Sequence, residues 1–214
     1  MRIKTYAVHR VIHKSESEGE VKMATVDPAA GVPAIQTQPG TLKDIAGHWA
    51  EANIKKLVEL KAVSGYPDGS FKTDATITRA EFATILIKAF KLTPQSGKVF
   101  SDTSNHWAKD SIATAESHEI ASGYEDGSFG PDDLITREQM AAMIVKAAKL
   151  ATELSQGTSF VDNADISPWA TGAVAVAVRS GVMKGYPGGA FLPQGRATRA
   201  EAVTVIMNAL KLPR

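Results

Sequence analysis

Apolar residues recur with a helical period at three places in this chain, and the three places resemble one another. Phe82, Ile85, Leu86, Ala89 and Phe90 fall on one stripe of a helix. So do Met140, Met143, Ile144 and Ala147, and so do Ala202, Val205, Ile206, Ala209 and Leu210. The i, i+3, i+4, i+7 spacing predicts three strongly amphipathic helices that pack together at the centre. A shorter helical pattern precedes each. Ile54, Leu57 and Val58 recur as Ile112, Ala115 and Glu116, then as Val174, Ala177 and Val178. One pair of helices cannot bury its own stripe. Three pairs can, either stacked in a row or closed about a threefold axis. The expected fold class is all-α, mainly helical.

Polar punctuation repeats with the same period. Trp49, Trp107 and Trp169 precede the first helix of each pair. A Gly-Tyr pair follows each Trp at one fixed interval: Gly65-Tyr66, Gly123-Tyr124 and Gly185-Tyr186. These glycines stand just after the first helices, where a left-handed residue is expected to cap the end. Turns come next, Asp68-Gly69-Ser70 and Asp126-Gly127-Ser128, with Gly188-Gly189-Ala190 in the third copy. Thr78-Arg79-Ala80-Glu81, Thr136-Arg137-Glu138-Gln139 and Thr198-Arg199-Ala200-Glu201 then open the second helices. The repeats span 42–98, 99–157 and 158–214. The third is displaced by extra residues expected in loops at Leu150–Gln156 and Asn163–Ser167.

Residues 1–26 do not match the repeats. Ile3, Tyr6, Val8 and Ile12, then Val21, Met23 and Thr25, read as a possible strand hairpin or the end of a preceding domain. His9 and His13 in this stretch are expected to be solvated. Residues 27–41 have the Pro, Gly, Ala, Thr and Gln composition of a linker. Nothing at the start has the form of a signal peptide, so an exported protein would carry this chain as a piece of a longer one, anchoring its C-terminal end.

Composition narrows the classes of function. The 24 Lys and Arg nearly balance the 23 Asp and Glu, which gives no case for nucleic acid. The absence of cysteine removes thiol catalysis, disulfides and Cys-ligated zinc. No apolar run approaches the roughly 18 residues of a membrane helix. Neither a cofactor nor a metal site is indicated.

The Thr-Arg-Ala-Glu motif divides into two parts. Thr78 with Glu81, Thr136 with Gln139 and Thr198 with Glu201 form capping boxes, which account for those six residues as structural. Arg79, Arg137 and Arg199 are not explained by capping. At the first helical position a cation faces the positive end of the helix dipole, at a cost of roughly 0.3–1 kcal/mol. Each Arg therefore either pairs with a carboxylate, for which Asp44, Asp102 and Asp162 are available, or is held for an anionic ligand together with free helix N–H groups. Tyr66, Tyr124 and Tyr186 would suit a sugar ring beside such a site. Each Trp, taken singly, is expected in the core.

At these residues the chain resembles the S-layer homology (SLH) family over about 42–214. The resemblance rests on the Phe/Leu-x-Asp start, His-Trp-Ala or Pro-Trp-Ala, Gly-Tyr-x-x-Gly-x-Phe and Thr-Arg-Ala-Glu, in order and three times. It implies three tandem repeats in a pseudo-threefold prism around a central three-helix bundle. It implies a monomeric, extracellular module that anchors a surface protein or S-layer to the bacterial cell wall. The implied partner is a secondary cell-wall polysaccharide, a pyruvylated amino-sugar polymer, bound in grooves between repeats. Arg79, Arg137 and Arg199 would contact the ketal carboxylate. Trp49, Trp107 and Trp169 would shape the grooves with Gly65, Tyr66, Gly123, Tyr124, Gly185 and Tyr186. Gln139 in place of an acid, Gly188 in place of an aspartate and Pro168 in place of a histidine depart from the pattern, so the three grooves are not expected to bind equally.

Three rival readings are weaker. An enzyme would need a catalytic set; His48 and His106 recur beside Trp, but Pro168 replaces them in the third copy, which marks them as structural. Calcium loops need more carboxylates than Asp68 and Asp126 offer. A helical protein–protein scaffold is the main alternative, and it predicts a broad interaction surface instead of small polar clefts.

Overall fold

The structure is a computed structural model that describes residues 42–151 and 157–213, all within the unit Gly31–Arg214. The expected hairpin and histidines of 1–26, the linker at 27–41 and most of the 150–156 insertion lie outside the described residues. Each repeat supplies two helices: α1 (Glu51–Glu59) and α2 (Arg79–Ala89), α3 (Lys109–Ser117) and α4 (Arg137–Ala147), α5 (Thr171–Arg179) and α6 (Arg199–Leu210). The extra residues of the third copy form one 3-10 turn, Asn163–Asp165. Among the described residues only isolated β-bridges occur, and no helix is long and apolar enough to cross a membrane.

The first helices end before the position the glycines predict, and by other residues. Lys61, Glu119 and Gly181 adopt the left-handed conformation at φ 57°, 58° and 73°. Gly65, Gly123 and Gly185 are not among the positive-φ residues, so they do not cap these helices. They are needed for space. A Cβ on Gly123 would stand 2.3 Å from Phe100 Cε1 and 2.5 Å from the Ser128 carbonyl oxygen. At Gly65 and Gly185 it would meet Leu42 at 2.3 Å and Phe160 at 2.5 Å.

The central helices also differ from expectation. In α2 nine of the eleven residues are buried, Arg79 and Thr84 among them. A helix buried on nearly every side has no sharp apolar stripe. The outer helix α1 shows the cleaner amphipathic pattern, with Ile54 and Leu57 buried and its lysines exposed. Helices α2, α4 and α6 pack on one another. Each outer helix packs on the central helix of another repeat: α3 on α2, α5 on α4, and α1 on α6.

Whether the repeats stack in a row or close on themselves is settled by three backbone hydrogen bonds. Ile77 N–H donates to Ala197 O, Ala197 N–H to Ile135 O, and Ile135 N–H to Ile77 O, each at 3.1 Å. Each repeat gives to one neighbour and accepts from the other, so the set is a ring. All three residues are fully buried, where an unpaired N–H would be costly. Phe71, Phe129 and Phe191, one per repeat and all fully buried, fill the space under the turns.

Candidate functional site

The capping boxes form as expected. Thr78, Thr136 and Thr198 each accept from the N–H three residues on at 3.2 Å. The return bonds run from the Thr N–H groups to Glu81 Oε2 (3.0 Å), Gln139 Oε1 (3.1 Å) and Glu201 Oε2 (2.9 Å). The first two helical N–H groups are not free for an anion. Arg79 N–H and Ala80 N–H donate to Asp133 O and Pro131 O, at 2.9 and 3.0 Å. Helices α4 and α6 repeat this with Gly195 and Pro193, and with Ala75 and Thr73. The expectation that helix N–H groups join the Arg in an anion site is therefore corrected. These groups join one repeat to the next.

Arg79, Arg137 and Arg199 are each only 5% exposed. Their Nε groups donate to Phe129 O (3.0 Å), Phe191 O (2.8 Å) and Phe71 O (3.0 Å), always on another repeat. Nη2 of Arg79 donates to Ser122 O at 3.2 Å, and that of Arg137 to Lys184 O at 2.8 Å. Each guanidinium lies over a tyrosine of that repeat, Tyr124, Tyr186 or Tyr66, at 4.8, 4.5 and 4.9 Å from the ring centre. Such bonds and ring contacts repay the unfavourable position at the helix start.

The carboxylate partners are not the expected aspartates. Asp44 accepts from Phe71 N–H and Lys72 N–H at 2.7 and 2.6 Å. Asp102 and Asp162 do the same for Phe129 and Gly130, and for Phe191 and Leu192. Burial opposes ionisation of Asp162, but the two backbone donors outweigh it and hold its pKa below 3.8. The Arg partners come instead from the capping boxes. Arg137 Nη1 pairs with Glu201 Oε1 at 3.1 Å, and Arg199 Nη1 with Glu81 Oε1 at 3.2 Å. Arg79 shares its groove with Gln139, an amide, in place of such an acid. Burial pulls the Arg79 pKa below its ordinary value, while Tyr124, Asp133 and Asp102 act the other way.

The tryptophans reverse the expectation for a single Trp. Trp49, Trp107 and Trp169 are 62%, 47% and 60% exposed. His48 and His106 lie beside the first two, with ring centres 5.1 and 5.4 Å apart. Each histidine accepts from a backbone N–H at Nδ1, so its proton sits on Nε2 and points to Asp74 or Asp132. In the third repeat Pro168 and Gln194 take these places. There Glu138, buried in α4, accepts from Ser167 and Gln194. The Asp68 and Asp126 turns carry local bonds: each Oδ1 accepts from the N–H and hydroxyl of the serine two residues on. Those serine donors lower both pKa values.

Two grooves bring the predicted residues together, each from all three repeats. One, about 800 Å³, is walled by Arg79 of the first repeat, Gly123, Tyr124, Gln139 and Lys146 of the second, and Trp169 of the third. The other, about 120 Å³, is walled by Arg199, then Gly65, Tyr66, Glu81 and Lys88, then Trp107. Around Arg137 the structure gathers Tyr186 and Glu201, which bond to each other, while Gly185 lies under Phe160. A further cavity of about 320 Å³ adjoins the Arg79 groove past Tyr124 and Lys146, and adds Lys98, Glu116 and Glu119. Sequence reasoning missed Lys88 and Lys146. Their shared position, ten residues after the capping Thr, was the available signal.

Comparison with known proteins finds the same three segments. The family described as S-layer homology domain matches residues 41–83, 99–141 and 159–203. The chain is similar to an amylopullulanase of Thermoanaerobacterium thermosulfurigenes, 34% identical over 80% of this chain and 10% of that protein. It is similar to a cellulosome-anchoring protein of Acetivibrio thermocellus, 36% identical over 70% of this chain and 35% of that one. It is also similar to S-layer protein EA1 of Bacillus anthracis, 32% identical over 75% of this chain and 19% of that one. The matched region is thus a tenth to about a third of these relatives.

Proposed function

The chain belongs to the S-layer homology domain family, and from that premise we propose that it is a non-covalent anchor that holds a surface protein or S-layer to the bacterial cell wall. Its ligand is a secondary cell-wall polysaccharide, an amino-sugar polymer carrying pyruvate ketals, seated in the grooves between repeats. The observation that carries this reading is the meeting of a buried arginine with an exposed tryptophan of another repeat across one groove. An exposed indole offers a flat apolar face to a sugar ring. A guanidinium held out of water binds a carboxylate more strongly than a freely solvated one does, because less competing solvent must be displaced.

The module itself is non-catalytic in this reading. The amylopullulanase shares with it only a tenth of its own length, and an anchoring protein and an S-layer protein also match this chain. Each groove contributes modestly, and retention on the wall rises when more than one groove, or many copies on a lattice, engage one polymer. A protein–protein scaffold is less well supported, since Trp107 and Trp169 stand at two separate clefts, each with a buried arginine in its wall.

The test is co-sedimentation with purified cell-wall polysaccharide linked to peptidoglycan, before and after mild acid removes the ketals. Binding should fall at least tenfold, as expected for losing a charged hydrogen-bonded contact. Undiminished binding would reject the carboxylate–arginine contact.

A further inference from the structure

We propose that Gln139 makes the Arg79 groove the principal carboxylate-sugar site of this chain, while Glu81 and Glu201 keep the other two grooves internally paired. The inference rests on reading the grooves as sites for a carboxylate-bearing sugar, and it ranks them.

The three capping boxes differ by one side-chain oxygen. Glu81 and Glu201 each divide their two carboxylate oxygens between two tasks. Oε2 accepts from the capping N–H, and Oε1 accepts from the arginine of another repeat. Gln139 has only one oxygen. Thr136 N–H can only donate, so Oε1 of Gln139 must face it, and it does so at 3.1 Å. The amide nitrogen then stands where the other boxes have an acceptor. Arg79 keeps its bonds from Nε and Nη2, but among the described residues Nη1 has no protein acceptor. Two donors of one groove, the Arg79 Nη1 and the Gln139 Nε2, are thus left for an incoming oxygen pair, from an arginine already buried.

The nearby acids do not replace the missing one. Asp102 is occupied by Phe129 N–H and Gly130 N–H, and Asp133 accepts from the Tyr124 hydroxyl at 3.2 Å. Neither forms an ion pair with Arg79 among the described residues. Glu125 also borders the groove, but it is exposed at the rim, and Lys146 offsets it.

Size points the same way. The Arg79 groove, at about 800 Å³, lies in the range of ligand pockets, about 300–1,000 Å³, and the Arg199 groove at about 120 Å³ lies below it. On α6 of the third repeat, Thr204 Oγ1 accepts from Asn53 Nδ2 of the first repeat, and Asn208 Nδ2 donates to Val182 O, both at 3.2 Å. Asn208 there replaces the lysine of the other two grooves. The repeat whose motif departs most from Thr-Arg-Ala-Glu therefore provides the open site.

The test is isothermal titration with the methyl glycoside of an N-acetylhexosamine carrying a pyruvate ketal, with the ketal methyl ester as neutral control. The intact chain should bind the acid at one dominant site and the ester at least tenfold more weakly. Gln139→Glu installs the residue the other two boxes already use, so the cap and melting temperature should hold while affinity falls tenfold or more. Three equal sites in the intact chain, or unchanged affinity in Gln139→Glu, would overturn the ranking and leave the polysaccharide reading standing. No binding of the acid by the intact chain would overturn both.

Discussion

The ring at the centre and the grooves at the rim are made by the same three repeats under different constraints. At the centre every link is a backbone hydrogen bond, and Ile77, Ile135 and Ala197 make the same 3.1 Å contact despite their different sizes. Each donor serves the next repeat's acceptor, so the ring is satisfied three times or fails as a whole. At the rim the links are between side chains, and one amide in place of one carboxylate changes what a groove can hold. Arg79, Arg137 and Arg199 join the two layers. Nε belongs to the framework, and Nη1 belongs to the groove. Tolerance of change should therefore differ sharply between the layers.

The largest effect should come from the framework. Phe129→Ala removes a fully buried ring from under the turn whose carbonyl holds Arg79, and should cost about 3–5 kcal/mol in denaturant unfolding. A loss under 1 kcal/mol would mean that the turn does not brace the ring.

A smaller effect is expected from acid. Asp68, Asp126 and Asp162 have folded-state pKa values below the ordinary 3.8. Between the two values the unfolded chain binds more protons, so the stability these groups contribute is present above pH 3.8 and is lost as pH falls through their lower folded values. The melting temperature should drop below about pH 4. Asp162→Asn should flatten part of that drop, and an unchanged slope would remove Asp162 from the account.

The smallest effect on stability should come from the rim. Trp169→Ala changes a 60% exposed side chain and should alter unfolding free energy by no more than about 0.5 kcal/mol. Wall binding should nevertheless weaken severalfold in the same co-sedimentation. Equal loss of fold and binding would erase the distinction between the two layers.

Much of the framework was legible because its signals are local. The capping boxes, the helix starts and the Asp-Gly-Ser turns each act over two to four residues, and each appears where the residues predict it. The arginine was legible as a misfit at the helix start, but its solution was not. Neither the aspartates nor free helix N–H groups meet it; carbonyls and capping-box acids of another repeat do. Gly65, Gly123 and Gly185 read as helix caps because glycine commonly serves there, whereas the closeness of Leu42, Phe100 and Phe160 is a packing fact. The tryptophans were misjudged one at a time because a large aromatic ring is usually buried, and only the position before the outer helix leaves these exposed.

The amino-acid sequence alone determined the repeat unit, its two helices, its turns and its three-copy count, since each depends on bonds within a few residues. Only the tertiary structure decided which copies meet. Arg79, Arg137 and Arg199 find their carbonyls 50, 54 and 128 positions away, and the last of these closes the ring from the third repeat to the first. A row and a ring share every local signal, so closure had to come from packing. The same closure sets Gln139 opposite Arg79, and so turns a single amide into the difference between one groove and the other two.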